Sequence, residues 1–437
     1  MVKFLIFQIL AFFFLSLTST AEAQSVDLQT MLNEAGQSSP AIIKSQAAYD
    51  EASWKKVESY QGYLPSLTGS LNYLTSRRYL LTDISLGGIP TSIPQIIPTT
   101  IYTLAATVPL FDGFASTNRL LASKKAENSA RYDLEWTQFQ SSRQVALQFY
   151  KALAAQQLKE VSEQNLKSLN DHLRDIQALK KAGVSTSYDV LRVDVQVSEA
   201  KAEVLNTSDS YELSKFKLGE LLGKDQETRE LSGQLPNLSQ HALAPLKTLQ
   251  VTERADILAL KEKSDSLRDL DAASGRYWVP KISAYGQYQY YNNRNDKFSD
   301  DAAFREAYQV GLNLTWNLFD IAAIAKSHQS SAQALQLDKN LQIARLKAAQ
   351  DLEYWKRKFN YFKTVSASRV VDIEKSTEAI RLAKEGRRAG TRTTTELLDT
   401  ELDLFRSRAG LVNAQIGAIE ALINLELATG RQLYDFK

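Results

Sequence analysis

The sequence predicts an α+β chain of duplicated build, with four β-strands set among very long α-helices. Three observations predict it. Glycine (18) and proline (9) are scarce in 437 residues of which 44% are apolar, so long uninterrupted elements follow. Two stretches, 183–192 and 386–399, read as helix-breaking turns that open new helices, and their turn glycines Gly183 and Gly390 stand 207 positions apart. The same shift carries Asp189 onto Glu396, Leu191 onto Leu398 and Gly223 onto Gly430, the mark of a repeat. Finally, the hydrophobic period changes from 3.6 to 2 in four runs. The reading divides the chain into a first repeat at 24–223, a connector at 224–250, a second repeat at 251–430 and a tail at 431–437.

The chain begins Met1-Val2-Lys3, continues with an apolar run at 4–17 and reaches Ala21-Glu22-Ala23, the three-part form of a signal peptide spanning 1–23 and cut after Ala23. Nothing downstream offers the roughly 20 apolar residues of a membrane-spanning helix, so any insertion must use strands. A net charge of +2 with both signs interspersed argues against a nucleic-acid partner. The absence of cysteine excludes disulfides, thiolate metal sites and an amino-terminal lipid anchor.

From Val26 to about Tyr63 the spacing is helical, with Asp27 as cap and Leu28, Met31, Leu32 and Ala35 on one face. Leu64-Pro65 ends it. Strands are then expected at 66–76 and 100–111, where Leu67, Gly69, Leu71 and Tyr73, and then Tyr102, Leu104, Ala106, Val108 and Leu110, alternate with mostly polar or small neighbours. Between them, 83–98 reads as a loop. The second repeat restates this: Val279-Pro280 matches Leu64-Pro65, and strands are expected at 281–291 and 306–319. The last is the clearest, with Tyr308, Val310, Leu312, Leu314, Trp316 and Leu318 at every even position. Asp112 and Asp320 are natural caps for the helices that follow. Those helices, 113–181 and 321–384, contain no proline, and one of that length reaches roughly 100 Å. After turns at 182–187 and 386–393 a second helix returns. Leu398, Leu402, Phe405, Ala409, Val412, Ile416, Ile419 and Ile423 are spaced as a heptad seam. On the first long helix, Leu158 with Val161, and then Leu166, Leu169, Leu173 and Ile176, form two stripes, which implies neighbours on both sides.

Four strands cannot sit open in lipid, because their edge N–H and C=O groups would lack partners. One chain is therefore not the functional unit. Two copies give eight strands and a barrel filled by side chains, whereas three give about twelve and leave a lumen. The expected assembly is a homotrimer with one shared barrel against lipid, Tyr288, Tyr290, Tyr308 and Trp316 supplying an aromatic girdle. Helices of roughly 100 Å attached to it would continue the lumen as a tube, on the scale of a periplasm. That geometry implies a conduit.

At this point the chain resembles the TolC-like outer membrane efflux proteins over essentially its whole mature length. The resemblance rests on the duplicated helix, strand, strand, helix order and the Leu64-Pro65 and Val279-Pro280 junctions. It rests also on Pro-Leu-Phe-Asp-Gly at 109–113 and on Ala-Gly-Thr-Arg at 389–392 followed by Leu397-Leu398-Asp399. It implies a trimeric outer-membrane β-barrel, four strands per chain and twelve in total, continued by a long α-helical coiled-coil periplasmic barrel. It implies an exit duct for tripartite efflux or type I secretion, working with a periplasmic adaptor (membrane fusion) protein and an inner-membrane pump of RND or ABC type. Carried over by position, Asp189 and Arg392 fall on the gate latch and Glu396 and Asp399 on an acidic pore ring. Gly183, Val184, Ser185, Gly390 and Thr391 fall on adaptor-docking tips. Where relatives often place a tyrosine five residues before the arginine, this chain has Arg387.

Spacing adds its own argument for the ring: Glu396 and Asp399 are three apart and share a helix face, so three chains would gather six carboxylates and favour cations. Acidic residues in a first helical turn also suit the helix dipole whatever the function. His172, His241 and His328 show no metal-ligand spacing, so structural or surface roles are expected and no metal or cofactor. Trp54, Trp136, Trp278 and Trp355 are expected in packing. No phosphate loop or nucleophile elbow appears, so no enzyme is expected. The competing class is an exported coiled-coil scaffold or periplasmic adaptor with a soluble sheet.

Overall fold

A computed structural model of the chain describes residues 25–75, 81–94, 98–238, 254–292 and 303–435. The expected signal peptide and the connector's second half lie outside them. The elements in chain order are α1 (Leu28–Ser38), α2 (Pro40–Ser59), β1 (Ser66–Tyr73), β2 (Leu81–Leu86), β3 (Ile89–Pro94) and β4 (Thr100–Phe111). They continue with α3 (Ala115–Lys181), α4 (Ser187–Leu221), α5 (Ala255–Ser274), β5 (Lys281–Asn292), β6 (Phe304–Thr315), α6 (Ile321–Arg388) and α7 (Thr394–Thr429). Two compact units result: Met1–Gln46, Leu134–Ala255 and Arg345–Lys437 form one, Ala47–Asp133 and Asp256–Ala344 the other.

In the second unit four strands form an antiparallel sheet in the order β1-β4-β5-β6. Its register explains its two faces. Leu71 pairs with Tyr102, which pairs with Tyr290, and Leu104 pairs with Tyr288, which pairs with Tyr308. Because side chains alternate across a strand, this register puts the apolar sets of all four strands on one face. Thr103, Gln287, Gln289 and Gln309 share the other, where the Gln309 amide donates to Gln287 at 2.6 Å. The apolar face is exposed in the single chain: Tyr308, Val310 and Leu312 are 83%, 82% and 72% accessible. Tyr290 stacks on Phe304 at 4.8 Å, with Tyr102 close to both.

Several expectations need correction. The first helix is two helices, because Pro40 lacks an N–H and disfavours helical backbone in the residue before it; Ser39 turns extended (ψ 120), and Pro40 opens α2. The segment 83–98 is not a loop throughout, since β2 and β3 form a hairpin about Gly87-Gly88, whose φ values of 62° and 88° suit a tight two-residue turn. Strand β1 stops at Tyr73 rather than 76. Strand β6 covers 304–315 rather than 306–319, because its partner β5 begins at Lys281, opposite Thr315, leaving Trp316 to Phe319 unpaired. Trp54 and Trp278 are exposed rather than packed. Finally, α7 is by length and composition able to cross a membrane, contrary to expectation, but most of its apolar window is buried inside the protein.

Both long helices leave the sheet through caps. Asp112 accepts the Ser116 N–H at 2.7 Å, and Asp320 accepts those of Ala322 and Ala323 at 3.0 and 3.2 Å. Gly113 (φ 71°) is required there twice over, since a Cβ would also stand 2.8 Å from Val279. Helices α3 and α6 run 67 and 68 residues without interruption, α6 reaching Arg388 rather than 384.

The core of the first unit joins α3, α4, α6 and α7 through Val145, Phe149, Leu218, Phe359, Ile419 and Leu422, with α1 docked by Met31. The heptad positions of α7 are buried or half-buried from Leu398 to Ile423. Gly417 lets α7 approach α6, because a Cβ would fall 2.6 Å from the Phe362 ring. Two polar clasps close this unit. Glu426, wholly buried, accepts the Leu433 and Tyr434 N–H groups at 2.7 and 2.8 Å and pairs with Arg143 at 2.9 Å, holding the tail. Glu34 on α1 pairs with Arg229 and Lys224 of the connector, each at 2.7 Å. These partners, Arg229 foremost, bring the Glu34 carboxyl down to about 2.

Candidate functional site

The two hairpin turns of the first unit are built alike. At the end of α3, Gly183 adopts φ 77° and the Val184 N–H returns to the Leu179 carbonyl at 2.9 Å; at the end of α6, Gly390 adopts φ 72° and the Thr391 N–H returns to Gly386 at 2.8 Å. Glycine satisfies this left-handed helix stop at no steric cost. A capping box then opens each return helix. Thr186 accepts the Asp189 N–H at 3.1 Å while the Asp189 carboxylate accepts the Thr186 N–H at 3.0 Å; Thr393 and Glu396 do the same at 3.2 and 2.8 Å. Residues 186 and 189 thus correspond to 393 and 396 at the 207-residue shift read from the sequence.

The boxes also set the charge state of the tip. The Thr186 hydroxyl and N–H, then Ser185 and the charge of Arg387, hold the Asp189 carboxyl below the usual carboxylate range. The Thr393 N–H and then Arg392 do so for Glu396. Both acids are therefore ionised at neutral pH. Val184 is exposed beside Gly183, and Asp399 stands exposed one turn beyond Glu396 on α7.

Within one chain the structure does not bring Asp189 and Arg392 together. Arg392 folds back onto Glu396 at 3.0 Å, and Arg387 is the basic residue whose charge acts on Asp189. The two return helices meet instead through Arg192, which donates to the Thr395 hydroxyl at 2.8 Å.

One group was missed by spacing. His172 and Glu401 are buried and meet at 3.1 Å, Ser168 donates to the other Glu401 oxygen at 3.1 Å, and Arg387 reaches the far ring nitrogen of His172 at 2.6 Å. The available signal was position: Glu401 interrupts the apolar stripe of α7, and His172 lies between Leu169 and Ile176 on that of α3. A charged side chain on a buried stripe announces a partner. These residues line a cleft of about 810 Å³ that also touches Leu179, Val184 and Lys384. Among the described residues no group of three or more His, Asp or Glu side chains is arranged to hold a metal ion.

Comparison with known proteins bears on this geometry. The chain matches the family model described as outer membrane efflux protein over residues 31–224 and 250–431. It is 22% identical over 304 residues to the outer membrane protein TolC of Vibrio cholerae serotype O1 (strain ATCC 39315 / El Tor Inaba N16961), an alignment covering 65% of this chain and 66% of that relative, just under two thirds of its length. In fold it is similar to the outer-membrane channel OprN (18% identity, 93% of this chain and 90% of that one, TM-score 0.77). It is similar too to the outer membrane protein VceC of Vibrio cholerae (16% identity, 93% and 97%, TM-score 0.74).

Proposed function

Because this chain belongs to the outer membrane efflux protein family, we propose that it is the outer-membrane exit duct of a tripartite efflux or type I secretion system, passively conducting substrates outward from an inner-membrane pump. It is an outer-membrane protein with a periplasmic portion. The relatives it matches are outer-membrane proteins and channels rather than enzymes, in keeping with the lack of catalytic motifs.

The observation that carries the reading is the sheet. Among the described residues both its edges, β1 and β6, are open in the single chain, and its apolar face is exposed along β6. Each unpaired backbone group in hydrocarbon costs several kcal/mol, so the edges must pair with further copies: β6 of one protomer with β1 of the next. Three copies make a twelve-stranded barrel, apolar outward and polar inward, with a lumen. A soluble sheet, as in the scaffold reading, would have to bury the β6 face against protein. The matched turns, boxes and exit caps point to an internal duplication, so that a trimer carries six similar hairpins at its tip.

At that tip an interprotomer contact between Asp189 and Arg392 latches the resting tube. Glu396 and Asp399, six carboxylates in the trimer, form an acidic ring that concentrates cations at the constriction. Gly183, Val184, Ser185, Gly390 and Thr391 present the surface that a periplasmic adaptor meets, the adaptor linking the duct to a pump of RND or ABC type. The test is reconstitution: the purified chain should run as a heat-modifiable trimer from the outer-membrane fraction and give discrete, cation-preferring steps in a planar bilayer. A stable monomer without channel activity would refute the duct.

A further inference from the structure

We propose that His172 is an acid-operated catch that holds the end of α6 against α3 in each protomer, and that its protonation releases Arg387 and frees the tip. The inference rests on the reading of the tip as a gate, and names what regulates it.

A guanidinium donates and cannot accept. At 2.6 Å from Arg387 Nη1, the His172 Nε2 must therefore present its lone pair, which leaves the ring proton on Nδ1, where it is donated to Glu401 Oε2 at 3.1 Å. Both contacts are satisfied only by the neutral imidazole. Adding a proton turns Nε2 into a second donor facing a cation. The Glu401 side survives and strengthens, because an imidazolium still donates from Nδ1 to a carboxylate, while the Arg387 side is lost. The catch is thus asymmetric: acid keeps α3 tied to α7 and lets go of α6.

The charged groups around His172 agree with that direction. From α3, Asp171 and Asp175 line the same cleft; from α6 come Lys384, Arg387 and Arg388; from α7 comes Glu401. Three cations on α6 oppose a further positive charge, whereas the acids on α3 and α7 accept one. Arg387 lies in the last turn of α6 and its charge acts on Asp189 at the head of α4. Its release therefore also withdraws a cation from the capping box of the other hairpin. Proton uptake at Nε2 is therefore the step that the Arg387 contact cannot survive, while Glu401 keeps its donor either way.

The test is amide hydrogen exchange of the purified full-length protein across residues 387–396, corrected for intrinsic exchange rates, at about pH 7.5 and pH 5.5, alongside single-channel conductance. The wild type should lose protection at the lower pH. In His172→Gln, which can accept from Arg387 and donate to Glu401 without titrating, protection should stay high at both values. In Arg387→Gln, at the edge of the cleft, it should be low at both. Acid loss of protection in His172→Gln equal to that of the wild type would overturn the proposal, as would a pH-dependent tip in Arg387→Gln. Exchange reads the catch whether or not the protein conducts; conductance reads the duct. The two can therefore fail separately.

Discussion

Replacing Asp189 by asparagine and Arg392 by serine together removes the charges assigned to the latch while sparing the local fold. Asparagine retains an oxygen that accepts the Thr186 N–H and hydroxyl now bound by Asp189 at 3.0 and 2.6 Å. Serine deletes the Arg392–Glu396 pair, whose side chains are 58% and 44% exposed. A pair so exposed is screened by solvent and shifts a local equilibrium by about twofold at most. A contact between protomers is different: the Arg392–Glu396 pair lies at the first turn of each α7 and forms whether the tube is open or shut, whereas each of the three proposed interprotomer contacts is made only in the closed form. If each charge-assisted contact favours the closed form by about fivefold, the three compound to about a hundredfold. The size of the effect therefore separates the two origins. In planar bilayers the double variant, still a heat-resistant trimer, should show several-fold higher single-channel conductance than the wild type. Unchanged conductance, or a rise no greater than the twofold that the intrachain pair allows, would refute the latch.

Three further outcomes follow from the same geometry. Glu396→Gln with Asp399→Asn should abolish cation preference and block by multivalent cations, read from reversal potentials in a salt gradient; retained block would assign selectivity elsewhere. Thr186→Ala and Thr393→Ala should each destabilise the first turn of α4 or α7 by about 1 kcal/mol, seen as faster exchange of the Asp189 and Glu396 amides and of no other region. Glu34→Gln tests the clasp of α1 on the connector and has a signed pH dependence. Since the folded carboxyl lies at about 2, below its unfolded value, its contribution is present above about pH 4.5 and lost as pH falls through about 2. The variant should therefore be less stable in denaturant by about 2 kcal/mol at pH 7, the gap closing as pH approaches 2; a gap constant with pH would exclude the ion pair as its cause.

Much of this architecture is legible in residue order because its determinants are local. The even positions of β6, the glycines at 183 and 390, and the acids three residues after Thr186 and Thr393 each dictate their own backbone. The hairpin at Gly87-Gly88 was equally local, and the glycine pair was its signal. Contacts between distant segments are another matter. Nothing near His172 indicates that Glu401, 229 positions away, supplies its acceptor, or that Arg387 completes the set from a third helix. Spacing could mark Glu401 as a charge on an apolar stripe but could not name its partner. The latch is a further step removed, since Asp189 and Arg392 each have a local partner in one chain and their proposed encounter belongs to the assembly.

The measurement that tests the duct most directly is crosslinking in cells from photoreactive residues at Ser187 and Thr394, the first helical residues after the two turns, with mass-spectrometric identification of what is captured. The account predicts a periplasmic adaptor at both positions and, through it, an inner-membrane pump. Capture of only peptidoglycan or of the chain itself, from tips shown to be accessible, would contradict it and favour a scaffold.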